Sequence, residues 1–391
     1  IYHLFVTIML LRSPSSLVAC NVYISAGRSH HKEVLLSVLK QCQERCRQLR
    51  IGQITPSSAK YFLEHNHNHQ SIEKSNKIAV VHAYADGPYD RSSFHLAGNA
   101  DLVADVASCV AIDAIDGLDY LSKHGHDDHN DTTESSAHPY VGLVDHVSVM
   151  PLSIENEILV AEQEDPETSI SQDGASFVPP DSHGLCSTYI GEKLSEKGIN
   201  VFYYGSAHPK QTPLATIRRE RTHFFRSGGL DVNSDGNNNI NDIGDICTVG
   251  SPPSFVENYN ILMSSNVSKK KAIGLAKKIR ERDGGILGVE ALTLPYSQGR
   301  YEVACNLLRP SEGSVNDILH VLDQWVQNEL REDYSACAKS GCRSYFIDNS
   351  YRVGTTIQQC LDVLNKCKEG EDSLLNSHDS AVIDKFCGYI L

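Results

Sequence analysis

Hydrophobic and polar positions follow two periods along this chain. LVACNVYIS, from Leu17, is an apolar, β-compatible run that predicts a strand. After AGRSHHKE, positions Leu35, Val38, Leu39, Cys42 and Cys46 form the stripe of an amphipathic helix. A polar connection over 52–76 leads to KIAVVHAYA, a second strand. Asp86-Gly87-Pro88 breaks that run and Arg91–Leu96 resumes it, which predicts a hairpin turning at the Asp-Gly. A long helix follows from Asn99, a candidate N-cap, through Leu102, Val103, Val106, Val110, Ile112 and Ile115. Beyond the polar loop SKHGHDDHNDTTESSAHPY, Val144, Val147 and Val149 mark a strand ending near Leu152. The order is βαββαβ.

Residues 153–182 are acidic and aperiodic, the composition of a surface insertion. A helix over Leu185–Lys197, the strand INVFYYG ending at Gly205 and a helical turn at TPLATIRRE come next, and then the Gly-, Asn- and Asp-rich stretch 226–254 reads as a linker. The second half repeats the order. Tyr259–Ser264 is a strand, and Ser268 caps a helix whose stripe is Ala272, Leu275, Ala276 and Ile279. Leu287–Leu294 and Arg300–Leu307 are strands; Val315, Ile318, Leu319, Leu322, Trp325, Val326 and Leu330 line a helix. RSYFI, ending at Ile347, is a strand, and Ile357, Cys360, Leu361 and Leu364 lie on a last helix. Two such units predict an α+β protein of two ferredoxin-like βαββαβ subdomains, a duplicated α/β sandwich. The expected division is an extension over 1–15, a first subdomain over 16–225, the linker 226–254, a second subdomain over 255–367 and a tail over 368–391.

Charge narrows the partners. With 35 Lys and Arg against 49 Asp and Glu in 391 residues, the net charge of −14 opposes nucleic-acid binding. Hydrophobic residues at 40% and charged residues at 21% suit a folded soluble protein. No run approaches the ~20 consecutive apolar residues of a membrane span, so no membrane partner is expected. The 12 cysteines are scattered without a CxxC pair and read as reduced thiols, which points to a cytoplasmic compartment. The apolar start through Leu11 lacks a basic n-region and reads as a gene-model extension or a truncated leader.

No P-loop, dinucleotide GxGxxG, GxSxG or HExxH pattern is present, which leaves histidine as the candidate chemistry. Of 18 histidines, many cluster at 65–69 (HNHNH) and 124–129 (HGHDDH). Both clusters sit in polar, low-complexity loops, so solvated loops are expected there rather than a metal site. His138 differs. It stands between a loop and a strand in AHPYVGLVDHVSVMPL, with Pro139 stiffening its peptide, Gly142 permitting close backbone approach and Asp145 available to pair with an imidazole.

That HPxxGxxD element and the strand after it resemble the catalytic-histidine segment of the formiminotransferase domain of the formiminotransferase-cyclodeaminase family. Further likenesses run in the same order: LVACNVYISAG resembles the family's opening strand, ADGPYDRSSFHLAG its glycine-turn hairpin, and INVFYYGSA with TPLATIRR its Tyr-Gly strand and following arginine. NYNILMSSNVS with KKAIGLAKKIRE resembles the start of its second subdomain. The resemblance spans about residues 16–310 and implies two ferredoxin-like halves without the cyclodeaminase half.

The resemblance implies transfer of a formimino group from N-formiminoglutamate to N5 of tetrahydrofolate, the co-substrate. In that reading His138 is the general acid/base, with Asp86, or else Asp90, orienting the imidazole or the pterin. Arg218 is then a carboxylate clamp, Asp145 and Gly142 line the substrate site, and Gly244, Asp245, Ile246, Cys247, Thr248, Val249 and Gly250 form a folate loop. A solvated helix face is the other reading of Arg218. The partners implied are folate, a formimino amino acid and a second copy of the chain. The alternative function is a non-catalytic folate-binding or regulatory protein on the same fold, and a weaker option is a His-rich metal-binding protein.

Overall fold

The computed structural model describes residues 17–65, 76–124, 138–152, 181–222, 224, 246–332 and 343–367, with the backbone alone of 124, 332 and 388–390. The first half begins with β1 (Leu17–Ile24), α1 (Lys32–Arg50), α2 (Ala59–His65), β2 (Ile78–Asp86), β3 (Arg91–Asn99), α3 (Ala100–His124) and β4 (Val144–Pro151). It continues through α4 (Ser182–Glu196), β5 (Asn200–Gly205), α5 (Leu214–Arg221) and β6 (Ile246–Ser251). The second half holds β7 (Glu257–Met263), α6 (Lys269–Ile279), β8 (Val289–Tyr296), β9 (Arg300–Leu307), α7 (Val315–Glu332), β10 (Ile347–Val353) and α8 (Ile357–Lys366). A short β11 (Gly388–Ile390) returns to pair with β2. The fold is α+β.

Two sheets carry this order. The second is four-stranded, β10-β7-β9-β8, and antiparallel throughout. The first runs β11-β2-β3-β1-β4-β6-β5, with antiparallel pairs from β11 to β4 and parallel pairs at β4/β6 and β6/β5. Both halves therefore show the expected βαββαβ succession, and the first sheet is widened by β5 and β6.

Three elements differ from the sequence reading. Ile246–Ser251, placed in a linker, is a strand inserted between β4 and β5, because Cys247 and Val249 bury into the helix-side core and anchor it there. Gly205 and Ser251 are in register at its end, and a Cβ on Gly205 (φ +56°) would lie 1.8 Å from the Ser251 carbonyl oxygen, so only glycine closes this pair. RSYFI is a turn that returns the Phe346 and Ile347 N–H groups to the Arg343 carbonyl, and the strand starts at Ile347 instead. Its polar sequence, DNSYRV, hid it. Ala59–His65, within the polar connection, is a short helix whose Tyr61 packs edge-on against Tyr189. The insertion at 153–182 lies outside the described residues except Asp181, which caps α4 by accepting from the Gly184 N–H, and Ser182, the first residue of that helix.

Strand alternation sorts each sheet into two faces. Cys20, Val22, Ile24, Phe94, Leu96, Val147 and Val149 face α1, α3 and α4 and form the larger core. Ile261, Val303, Cys305 and Leu307 face α6 and α7, around Trp325 and Phe346. Opposite the helices of the first half, Ala19, Val81, Ala97 and Met150 pack under α8 and Phe255. Tyr89, Leu262, Leu294, Tyr296 and Tyr351 form a further cluster that joins the β2–β3 turn to the second sheet.

The centre of that seam is Glu302, fully buried on β9. It accepts hydrogen bonds from the Tyr89 hydroxyl (2.8 Å), the Asn260 amide (2.8 Å) and the Tyr351 hydroxyl. Burial holds its carboxyl above the usual range. Removing the acceptor strands two buried donors, the Tyr89 and Tyr351 hydroxyls, and the half-buried Asn260 amide, a buried donor costing about 1–3 kcal/mol when left unmet. Glu302→Ala should therefore lower the unfolding free energy by about 3 kcal/mol in urea titration of the full chain, whereas Glu302→Gln, which keeps an acceptor oxygen, should lose less than half of that. Equal stability of the alanine variant and the wild type would show that the seam does not depend on this network.

Candidate active site

On the first sheet's face opposite α1, α3 and α4, beyond the end that α8 covers, register brings two polar rows together. One runs Tyr84, Ser93, Tyr23, His146 and Thr248 across neighbouring strands; the next runs His82, His95, Asn21, Ser148 and Gly250. Polar residues recur every second position because strand side chains alternate between faces, and these two rows are the positions the helix-side core does not take. All are buried. The Asn21 Oδ1, the Ser93 Oγ and both ring nitrogens of His95 lack a partner among the described residues. Gly354 (φ +79°) lies against His95, and a Cβ there would stand 2.6 Å from the His95 Cε1.

At one end of these rows Arg91, at the start of β3, bonds both the His138 imidazole and the Asp145 carboxylate, and Arg218 reaches Asp145 as well. Asp145, 1% exposed, accepts from Arg91 Nη2 at 2.8 Å, from Arg218 Nη2 at 3.3 Å and from the Val141 N–H at 2.9 Å. Arg91 also lies over the Tyr23 ring, 4.5 Å from its centroid, and Arg218 over Phe224 at 4.0 Å. Arg218 is thus buried beside Asp145 rather than set on a solvated helix face, and Arg219 is exposed on α5.

The His138 tautomer follows from its neighbours. Nδ1 lies 2.6 Å from the Pro139 carbonyl oxygen, to which it donates, so Nε2 holds the lone pair. Arg91 Nη1 stands 2.8 Å from Nε2 and 3.0 Å from Nδ1 and donates to Nε2. Burial, and then the adjacent Arg91 guanidinium, push this imidazole well below its ordinary range, so it is neutral at pH 7. His146, stacked on Tyr23 at 5.7 Å and held by Thr248, is likewise pushed down by burial.

The other expected site residues are dispersed. Asp86 accepts from the Tyr89 N–H at 3.1 Å, and burial with Glu302 nearby lifts its carboxyl to about 7. It lies opposite Arg91 in the β2–β3 register and beside Tyr89, whose ring is 5.3 Å from the imidazole. Asp90 instead accepts from the Gly27 and Arg28 N–H groups and pairs with the Arg28 side chain, pinning the loop after β1. The Gly142 carbonyl accepts from Ser25 Oγ at 2.7 Å. In the segment read as a folate loop, Gly244 and Asp245 lie outside the described residues and Ile246 opens β6. Cys247 and Val249 face the helix-side core, and only Thr248 and Gly250 share the polar face. Of the histidine clusters only His65 and the backbone of His124 are described, each ending a helix. Among the described residues no group of three or more His, Cys, Asp or Glu side chains could hold a metal ion, and no helix is long and apolar enough to cross a membrane.

Arg91, Tyr23, Tyr89 and Glu302 escaped the sequence reading. The signal for Arg91 was the alternation of β3, where Arg91, Ser93 and His95 are out of phase with Phe94 and Leu96.

The buried histidines give a pH signature. Burial lowers His82 to about 4, below the ~6.5 of an unfolded chain. The unfolded state therefore binds the extra proton between those limits, so this contribution to stability is complete above about 6.5 and is lost as pH falls toward 4. Asp86 acts in the opposite direction, its raised carboxyl favouring the native state as pH falls from about 7. Comparing wild type with His82→Gln isolates one term. Between pH 7 and pH 4.5 the wild type should lose about 2 kcal/mol more than the variant in urea unfolding; parallel losses would mean that His82 is not held neutral by the fold.

Residues 17–245 match the family model for the formiminotransferase domain, N-terminal subdomain. A formiminotransferase cyclodeaminase-like protein from Arabidopsis thaliana is 26% identical over 313 residues, covering 76% of this chain and 92% of that protein. Among solved structures, the periplasmic protease PqqL from Escherichia coli aligns with a TM-score of 0.17 and 10% identity over 90% of this chain and 38% of that one, too low to carry any argument. With more than half of its length matched, the chain belongs to the formiminotransferase domain family, the folate-related one-carbon transferases.

Proposed function

We propose that this protein transfers a formimino group from N-formiminoglutamate to N5 of tetrahydrofolate, with His138 as the proton-exchanging group. The observation that carries this reading is that Arg91 bonds both the His138 imidazole and the buried Asp145, which Arg218 also reaches. Tetrahydrofolate supplies the nucleophilic N5. The unpartnered polar atoms of Asn21, Ser93 and His95 suit a heteroaromatic ring rich in hydrogen-bonding groups, and the two guanidiniums suit carboxylates. Gly142 lies on the loop beside Asp145, and Thr248 steadies that residue by donating to its carbonyl at 3.0 Å.

A neutral His138 starts as a base. It accepts the proton released as N5 forms its new bond and returns it to the departing glutamate nitrogen, acting as acid only after it has been charged. Asp145 keeps both arginines in place while this happens, and Asp86, its carboxyl lifted to about 7, hydrogen-bonds as a neutral acid when protonated.

A second reading, a folate-binding protein without turnover, is favoured by one observation: the Nε2 lone pair is engaged by Arg91. His138→Ala separates the two. It should lower kcat for glutamate release by ~10²–10⁴ while leaving affinity for 5-formyl-tetrahydrofolate within a few-fold, since a proton shuttle acts on the transition state. Folate binding by the wild type with no turnover from any formimino or formyl donor would favour the second reading, and normal turnover by His138→Ala would reject the site.

A further inference from the structure

We infer that Arg91 is a positioning residue that couples the availability of the His138 imidazole to the arrival of a ligand carboxylate. The inference rests on the reading of His138 as the proton-exchanging group. It adds a condition that the reading does not contain: the base is restrained until an anion is bound.

The argument starts from charge. Two guanidiniums, Arg91 and Arg218, converge on a single carboxylate, Asp145, and their side chains are only 15% and 11% exposed. His138 and His146 beside them are neutral. The cluster therefore holds one buried positive charge in excess, a costly arrangement that an anion relieves. Geometry indicates where that anion goes. The Nε–H groups of both arginines are buried without a partner among the described residues, while their Nη2 atoms are committed to Asp145. A carboxylate accepting from those two groups completes the charge balance and competes with Nε2 for the Arg91 guanidinium.

Arg91 is the member that touches the base. Its Nη2 is anchored on Asp145 and its plane rests on Tyr23, so a ligand pulling on Nε rotates Nη1 about a fixed pivot and away from Nε2. Arg218 reaches Asp145 but makes no described bond to His138. Among the described residues, the groups around the imidazole are Arg91 from β3, which bonds it, Arg218 and the Phe224 ring from α5 and its end, with Asp145 behind both arginines, and Tyr89 from the β2–β3 turn, behind which stand Asp86 and Glu302. Arg91 is a cation bonded to the ring, so its displacement removes the cause that, after burial, most lowers the basicity of Nε2.

The ligand carboxylate can come from the amino-acid donor or from the glutamate tail of a folate, and the probes distinguish these. Full-length protein is titrated by NMR, with the His138 signal identified by its loss in His138→Gln, in the presence of saturating glutamate, 5-formyl-tetrahydrofolate or uncharged glutaramide. At least one carboxylate probe should raise the His138 midpoint by a pH unit or more, a tenfold gain in proton affinity, and glutaramide should leave it unchanged. A shift with glutamate alone assigns the donor, and a shift with the folate alone assigns the tail. In Arg91→Gln the midpoint should already be raised and should no longer respond. Arg91→Lys, which keeps the charge but not the fork, checks folding through retained signal dispersion and should respond only weakly. A wild-type midpoint that neither carboxylate probe moves, or an equal shift in Arg91→Gln, overturns the inference. Turnover is measured separately: a shifting midpoint with no transfer activity would reject the proposed reaction and keep the coupling, and the reverse outcome would do the opposite.

Discussion

The site is organised around one carboxylate. Asp145 sits at the start of β4, almost wholly buried, and an ionised group there is tolerable only when cations and N–H donors surround it. Three pieces of chain supply them: the first residue of β3, the Val141 backbone in the loop after His138, and Arg218 on α5. Each of those bonds also fixes something else. Arg91 sets the orientation of His138, Val141 holds the loop that carries it, and Arg218 ties α5 to a sheet it otherwise touches only at its edge. An Asn or Ala at this position would leave two buried guanidiniums facing each other, a far larger disturbance than the loss of one hydrogen bond.

The second constraint is a sheet with two unlike faces. Helices cover one face with ordinary aliphatic packing, and the other is buried although it is lined with histidine, serine, asparagine and tyrosine. A polar surface can be buried only if its groups find partners or if a ligand brings them. Some find them internally, as His146 does with Thr248 and Tyr204, and some do not, as with His95. Buried polar atoms left without a partner among the described residues, in two contiguous rows, distinguish this face from the aliphatic packing on the other side of the sheet.

Much of this was legible in the chain. The βαββαβ order came from helix and strand periods in both halves, and the hairpin at Asp86-Gly87 is where Asp86 pairs with Arg91 and the Asp90 N–H returns to the Gly87 carbonyl. His138, Asp145 and Arg218 stood out as candidates because a short motif and a co-linear likeness pointed to them. What could not be read was lateral. β6 lies in a Gly- and Asn-rich stretch whose character is local, whereas its place between β4 and β5 depends on a parallel pairing with His146–Ser148, about a hundred positions away. β10 was displaced because its residues are polar on the side that meets solvent and its apolar anchors, Ile347 and Tyr351, are too few to show a period. Arg91 was overlooked for a related reason. One arginine at the start of a strand resembles any exposed charge until the register across β1 and β4 shows what lies beside it.

The seam also has an electrical direction. At the Tyr89 side stand two buried carboxyls, Asp86 and Glu302, both held above their ordinary range by desolvation. At the His138 side stand two guanidiniums sharing one carboxylate. The rings of Tyr89 and His138 meet edge to face between them, so the tyrosine hydroxyl points to Glu302 while the imidazole points to Arg91. Polarity along a few ångströms of low-dielectric interior is strongly felt, because little water screens it. A ligand lying along this line meets acceptors and neutral acids at one end and cations at the other. Burial, and then Arg91, holds His138 neutral at the cationic end, while burial, and then Glu302, lifts Asp86 to about 7 at the acidic end. The two groups are thereby displaced from their ordinary ranges in opposite directions, the imidazole downward and the carboxyl upward.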